Sequence, residues 1–174
     1  MSLLNPQNSV IWTVTNPTHE KFLRIPVADF DVASVPRKEL EHVITHMRKL
    51  MIAEKGVGLS ANQIGLSVRL FICQLPNAQG TGYQGKFYAI FNPRLVRTSE
   101  KKVCDEEGCL SIPGWYGSVD RFYSITLSGV DKQNRPLSIS ARGLLARIMQ
   151  HELDHLNGVL FTDHASNVQR IAEL

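Results

Sequence analysis

Ala141-Arg-Gly-Leu-Leu-Ala-Arg-Ile-Met-Gln-His-Glu-Leu-Asp-His-Leu-Asn-Gly158 decides the reading of this chain. Leu144, Leu145, Ile148, Met149, Leu153 and Leu156 recur at helical spacing, and Asn157-Gly158 is a helix-ending pair. The spacing predicts a helix from about Ala141 to Leu156, apolar enough to lie in a core. Inside it stands His151-Glu-Leu-Asp-His155, an HExxH pattern. Residues four apart share a helix face with Cβ atoms roughly 6 Å apart, so both imidazoles can bind one metal ion. Glu152 is turned about 100° from that pair, too far to be the natural third ligand. It is close enough to act as general base on a metal-bound water.

A catalytic site of this kind needs a third protein ligand and one open position. The HExxHxxGxxH extension fails, because Phe161 stands where its last histidine belongs. Glu173 is the only glutamate downstream, and His164 lies beyond the helix-ending glycine. His42 and His46 also stand four apart, but they share a polar face with Glu39 and Lys49 and read as solvated. Cysteine remains. Cys73 falls in an apolar run and reads as a small buried hydrophobe. Cys104 and Cys109 both offer a soft ligand, and Cys109, after Gly108, is the better placed.

Working outward, Leu40, Val43, Ile44, Met47, Leu50 and Met51 form the stripe of an earlier helix, with Pro36 at its first turn, Ser34 as cap and Gly56 past its end. Leu66–Leu75 and Phe87–Phe91 read as strands, as do Gly117–Val130 and Pro136–Ser140 across an Asp131–Arg135 turn. Ser166–Leu174 reads as a final helix. Strands in hairpins, without regular alternation with helices, predict an α+β fold: antiparallel sheets around a central HExxH helix, plus an N-terminal helix.

At 174 residues one domain, 1–174, is expected, large enough to fold without disulfide staples. Three cysteines cannot all pair, which favours a reducing compartment. A net charge of +3 with dispersed Lys and Arg predicts no nucleic-acid surface, and no apolar run is long enough to span a membrane. The start, MSLLNPQNSV, resembles neither a secretory signal nor a strong transit peptide.

Three segments together resemble one family. Gly56-Val-Gly-Leu-Ser-Ala-Asn-Gln63, Glu107-Gly-Cys-Leu-Ser111 and Gln150-His-Glu-Leu-Asp-His-Leu-Asn-Gly158 are similar, in order and approximate spacing, to the signature motifs GxGLAAxQ, EGCLS and QHExDHLxG of the peptide deformylases. The likeness extends to the N-terminal FLRIPVADFDV. It implies removal of the formyl group from N-formylmethionyl nascent chains, releasing formate. It implies a metal on Cys109, His151 and His155, with Glu152 as base. Gln63, a neutral donor, and the Leu110 backbone N–H would serve the oxygen of the tetrahedral intermediate. Gly58, Glu107, Leu144 and Ile148 would bind substrate, with Arg147 either on the pocket rim or in solvent. Asp154 would pair with Arg121.

The resemblance also implies one divalent ion, ferrous iron first, with zinc, nickel or cobalt as alternatives. It places the protein in a bacterial cytoplasm or, after loss of a transit peptide, in an organelle. A monomer is expected, with no membrane or direct nucleic-acid partner; the ribosome stays open as a partner, but docking through the family's basic tail is not expected. Two departures stand out: Ser60 replaces the usual alanine, a change expected to leave the metal unaffected, and Gly114-Trp-Tyr116 replaces acidic and basic groups that contact the peptide. The rival functions are a metallopeptidase cutting peptide bonds, and a catalytically silent metal-stabilised binding module.

Overall fold

The structure, a computed structural model, describes residues 3, 4, 6–80 and 82–170. Its fold is α+β, and every strand pairing is antiparallel. Five strands, β1 (Gly58–Ser60), β2 (Leu70–Pro76), β3 (Tyr83–Thr98), β6 (Ser124–Val130) and β7 (Pro136–Arg142), form one sheet in the order β1-β2-β3-β6-β7. The strands β4 (Lys102–Cys109), β5 (Ile112–Phe122) and β8 (Ser166–Arg170) form a second sheet in that order. Among the described residues three α-helices accompany them: α1 (Pro17–Leu23), α2 (Arg37–Ala53) and α3 (Gly143–Leu156).

The apolar run at β2 is explained by burial on both faces. Leu70 and Ile72 pack with Leu40, Val43, Met47 and Met51 of α2, whereas Phe71 and Cys73 pack with Ala146, Ile148, Met149 and Leu153 of α3. Successive side chains on a strand point to opposite faces, so a strand between two helices must be apolar throughout. The large sheet thus separates α2 from α3. A smaller cluster of Ile112, Val119, Leu160 and Phe161 underlies the second sheet.

The HExxH helix ends as expected. Gly158 has φ 74°, and the Val159 and Gly158 N–H groups donate to Asp154 O and His155 O, closing the last turn. A Cβ at Gly158 would strike the backbone of Arg24, so glycine is required there sterically as well. Buried Arg69 donates to Leu156 O and the Asn157 side chain at the same helix end, where a cation is favoured.

Four expectations need correction. Pro36 is itself the cap of α2 and makes no side-chain bond, while Ser34 belongs to the preceding Val32–Ser34 turn. At the other end Lys55, at φ 55°, takes the left-handed position assigned to Gly56, whose N–H reaches Met51 O. The 117–130 segment is not one strand: it leaves the small sheet at Phe122 and enters the large one at Ser124. Val119, Arg121, Ile125 and Leu127 are buried in one phase on both sides of the break, and the apolar Tyr123 between them, exposed in the structure, keeps that phase in the sequence and so hides the change of partner. Finally, 166–170 is strand β8, because the open edge of β5 offers backbone partners that a polar segment with one apolar residue could not match by helix packing. Residues 171–174 of the expected helix lie outside the described residues.

Candidate metal centre

Two structural elements bring the donors together. Helix α3 contributes His151 and His155; the tight β4–β5 turn, Leu110-Ser111, contributes Cys109 at its start. Cys109 Sγ lies 3.1 Å from His155 Nε2, which lies 3.3 Å from His151 Nε2, and the three atoms fall within 4.8 Å of one another. Two nitrogens on a tetrahedral cation with bonds of about 2.0–2.1 Å are separated by about 3.3 Å, so the spacing fits a metal. The His155 Nδ1 is buried without a hydrogen-bond partner among the described residues. A thiolate with two imidazoles suits iron or zinc, and the donor set fits the ion that the HExxH pattern implies. Cys104 takes no part: it is exposed on β4 opposite Asp120, about 16 Å along the strand from Cys109. His42 and His164 are exposed, and His46 contacts the main-chain oxygen of Asn8.

Burial alone would raise the Cys109 thiol, but the imidazoles of His155 and His151 outweigh it and hold the thiol well below its ordinary range. The Ser111 N–H adds a donor 3.3 Å from the sulfur. The sulfur is therefore an anionic ligand. Burial pushes the Glu152 carboxyl up, against the pull of His151, His155 and the Ser60 hydroxyl. A raised carboxyl accepts a proton more readily than an ordinary one, as a general base must.

Behind the donors lies a buried ionic network. Glu107 accepts a two-pronged contact from Arg121, at 2.9 Å through both Nε and Nη2. It also accepts from Arg147 Nη1 at 2.7 Å and from His151 Nδ1 at 2.9 Å. The last bond fixes the imidazole with its proton on Nδ1, leaving Nε2 free for a metal. Arg121 also pairs with Asp154, as expected. The Glu107 side chain, expected to bind substrate, lines the cavity with only 5% exposure and with both oxygens occupied. Arg147 lines the cavity and is not in solvent. It is buried, donating to the Val119 and Val103 carbonyls as well as to Glu107.

Gln63 sits in the Ala61–Ile64 turn after β1, fully buried. Its Oε1 accepts the Ser60 N–H at 2.8 Å, so its Nε2 is turned toward Ser111 Oγ (3.2 Å) and Cys109 Sγ (3.7 Å). The segment before α1 holds both flanks: Trp12 N–H donates to Gln63 O and Val14 N–H to Ser111 O. Asn62 donates to His155 O. A cavity of about 580 Å³ opens over these groups. Gly58, Gln63, Glu107, Cys109, Leu110, Leu144, Ile148, His151 and Glu152 line it, and half-exposed Trp115 forms part of its wall. Leu144 is half-exposed at the mouth, while Ile148 is buried.

Sequence reasoning missed three contributors: the Ser60 hydroxyl on Glu152, Ser111 beside Gln63, and the interior position of Arg147. The first two stand in the quoted motifs, and a hydroxyl inside a motif was the available signal. Nothing in the spacing distinguishes a buried Arg147 from an exposed one.

An α+β fold whose core helix carries HExxH, with a cysteine completing the donor set, defines a metal-dependent hydrolase. Residues 11–171 match the sequence profile of the family described as Polypeptide deformylase. The peptide deformylase of Roseiflexus castenholzii is 35% identical over 170 residues, covering 92% of this chain and 90% of that protein. A Synechococcus elongatus peptide deformylase, solved in complex with actinonin, superposes with a TM-score of 0.78 at 33% identity, covering 94% of this chain and 82% of that one. An Acinetobacter baumannii peptide deformylase bound to Met-Ala-Ser gives 0.80 at 26% identity, covering 89% and 97%. This chain belongs to the peptide deformylase family, metal-dependent enzymes that remove the N-terminal formyl group from nascent polypeptides.

Proposed function

We propose that Cys109, His151 and His155 hold one divalent ion, ferrous iron in the cell, and that Glu152, Gln63 and Leu110 complete the deformylase centre. The observation that carries this reading is the convergence of three donor atoms beside Glu152 on the floor of one cavity. When bound, the ion supplies Lewis-acid polarisation of the formyl carbonyl and lowers the pKa of an attacking water. Glu152 takes the proton as the water oxygen adds to the formyl carbon. Gln63 Nε2 and the Leu110 N–H donate to the developing oxyanion. Glu152 then delivers its proton to the leaving nitrogen, the C–N bond breaks, and formate and a free amine result. Glu107 orients His151 through its Nδ1.

Leu144 and Ile148 form the apolar side of the methionine pocket, where a flexible thioether packs well. The Met-Ala-Ser complex of the Acinetobacter relative supports a first-residue methionine. The peptide runs beside Gly58, with the Trp115 wall replacing charged contacts to later residues. Among the described residues no helix is long and apolar enough to cross a membrane, and the three cysteines are free.

Anaerobically purified protein should contain close to one iron per chain and cleave formyl-Met-Ala. Acetyl-Met-Ala and Met-Ala should remain intact. Cleavage of either at a comparable rate would replace this reading with a peptidase or a broad deacylase. A metal-loaded protein that turns over none of the three would favour the silent binding module.

A further inference from the structure

We propose that Ser60 is a positioning residue for Glu152; this rests on reading Glu152 as the base. Ser60 is the last residue of β1, completely buried, and its Oγ lies 2.7 Å from Glu152 Oε2 and 2.8 Å from the main-chain oxygen of the same residue. The family motif has alanine at this place, so the contact lies outside the motif. The other side of the carboxylate abuts Gly58, two residues earlier on the same strand, where an added Cβ would fall 2.8 Å from Glu152 Cδ. The strand therefore grips the carboxyl group by one oxygen and one face, leaving Oε1 as the oxygen without a tether.

The hydroxyl has one hydrogen to donate and lone pairs with which to accept. Both the Glu152 side-chain Oε2 and its main-chain oxygen lie within its reach, so it ties the carboxyl group to the helix backbone that carries it. An alanine offers neither bond. The Ser60 backbone is extended (φ −92°, ψ 147°), and its N–H bond to Gln63 does not involve the side chain. Ser60→Ala therefore leaves the strand and the Gln63 amide in place.

The test is a double-mutant cycle on kcat for formyl-Met-Ala in the iron-loaded enzyme, with metal content and melting temperature measured on each variant. Ser60→Ala should lower kcat about tenfold, the worth of a hydrogen bond to a charged group, with KM within twofold of the parent and metal content unchanged. In a Glu152→Gln background the same substitution should have no further effect on kcat. A loss that persists undiminished in that background shows Ser60 acting through another group and overturns the proposal, as does an unchanged kcat in the single variant. If Glu152→Gln alone keeps normal turnover, the base assignment falls and this inference with it. If Glu152→Gln is crippled while Ser60→Ala is normal, only this inference falls.

Discussion

Gly58→Ala offers a geometric test of how finely Glu152 is held. Gly58 has no left-handed backbone to protect, so the substitution acts through space alone. The added methyl would lie 2.8 Å from Glu152 Cδ and 2.9 Å from Cγ. Unstrained carbons approach to about 3.5 Å, so the carboxyl carbon must withdraw by about 0.7 Å, and its oxygens further. The strand cannot readily yield instead, because all three residues of β1 are buried and Gly58 pairs with completely buried Cys73 of β2. A misplacement near 1 Å costs about 10²-fold in rate. We expect kcat for formyl-Met-Ala to fall about 10²-fold while iron content stays near one per chain, because no metal donor is touched. Strain of about 1–3 kcal/mol should also lower the melting temperature. Wild-type kcat in a folded, metal-loaded Gly58→Ala enzyme would refute the placement of Glu152 as the working base.

Cys109→Ser should bind metal far more weakly, because a hydroxyl is not an anionic ligand at neutral pH; full occupancy by elemental analysis would remove Cys109 from the donor set. In the metal-loaded native protein, thiol reagents should label exposed Cys104 quickly and leave Cys73 untouched, since burial pushes the Cys73 thiol up and solvent does not reach it. Two rapidly labelled thiols would contradict that assignment. Burial would raise the Glu107 carboxyl, but Arg121 and His151 hold it well below the usual range, so the folded state binds fewer protons than the unfolded chain in acid. That contribution is complete above the unfolded value of about 4.3 and is lost as pH falls below it. Melting temperature should drop in that window, and the drop should flatten in Glu107→Gln; an equally steep profile in the variant would assign acid lability elsewhere.

Helix α3 was legible because one segment carried three agreeing signals: an apolar stripe, paired histidines and a glycine stop. Strand β2 was legible because double burial leaves an uninterrupted apolar run. Cys109 was preferred to Cys104 for its place after Gly108, and the direction of β4 carries Cys104 away from the centre. Arg147 illustrates a different limit. Burial of a guanidinium depends on carbonyls and a carboxylate arriving from β4 and β5, and a helical residue bears no local mark of partners 28 to 44 positions away. The same holds for Ser60, whose partner is 92 residues distant. The sheet exchange falls at exposed Tyr123, whose apolar side chain keeps the sequence pattern in phase, and it is satisfied by Gln150, whose amide bonds the Phe122 N–H and C=O together.

The distances along the chain have a consequence for how the molecule comes into being. Gln63, Cys109 and the α3 histidines leave the ribosome in that order, and no pair drawn from different segments lies closer than 42 positions. Closing loops of this length is entropically slow, so the local hairpins and α2 can form well before the centre does. The Trp12 and Val14 clasps must also wait, the first for residue 63 and the second for residue 111. During its own synthesis this chain therefore presents isolated soft ligands for most of the time and a complete metal pocket only after His155 has emerged. Metal loading is in that sense a late event of biogenesis, and the ion closes a structure that the polypeptide alone finishes last.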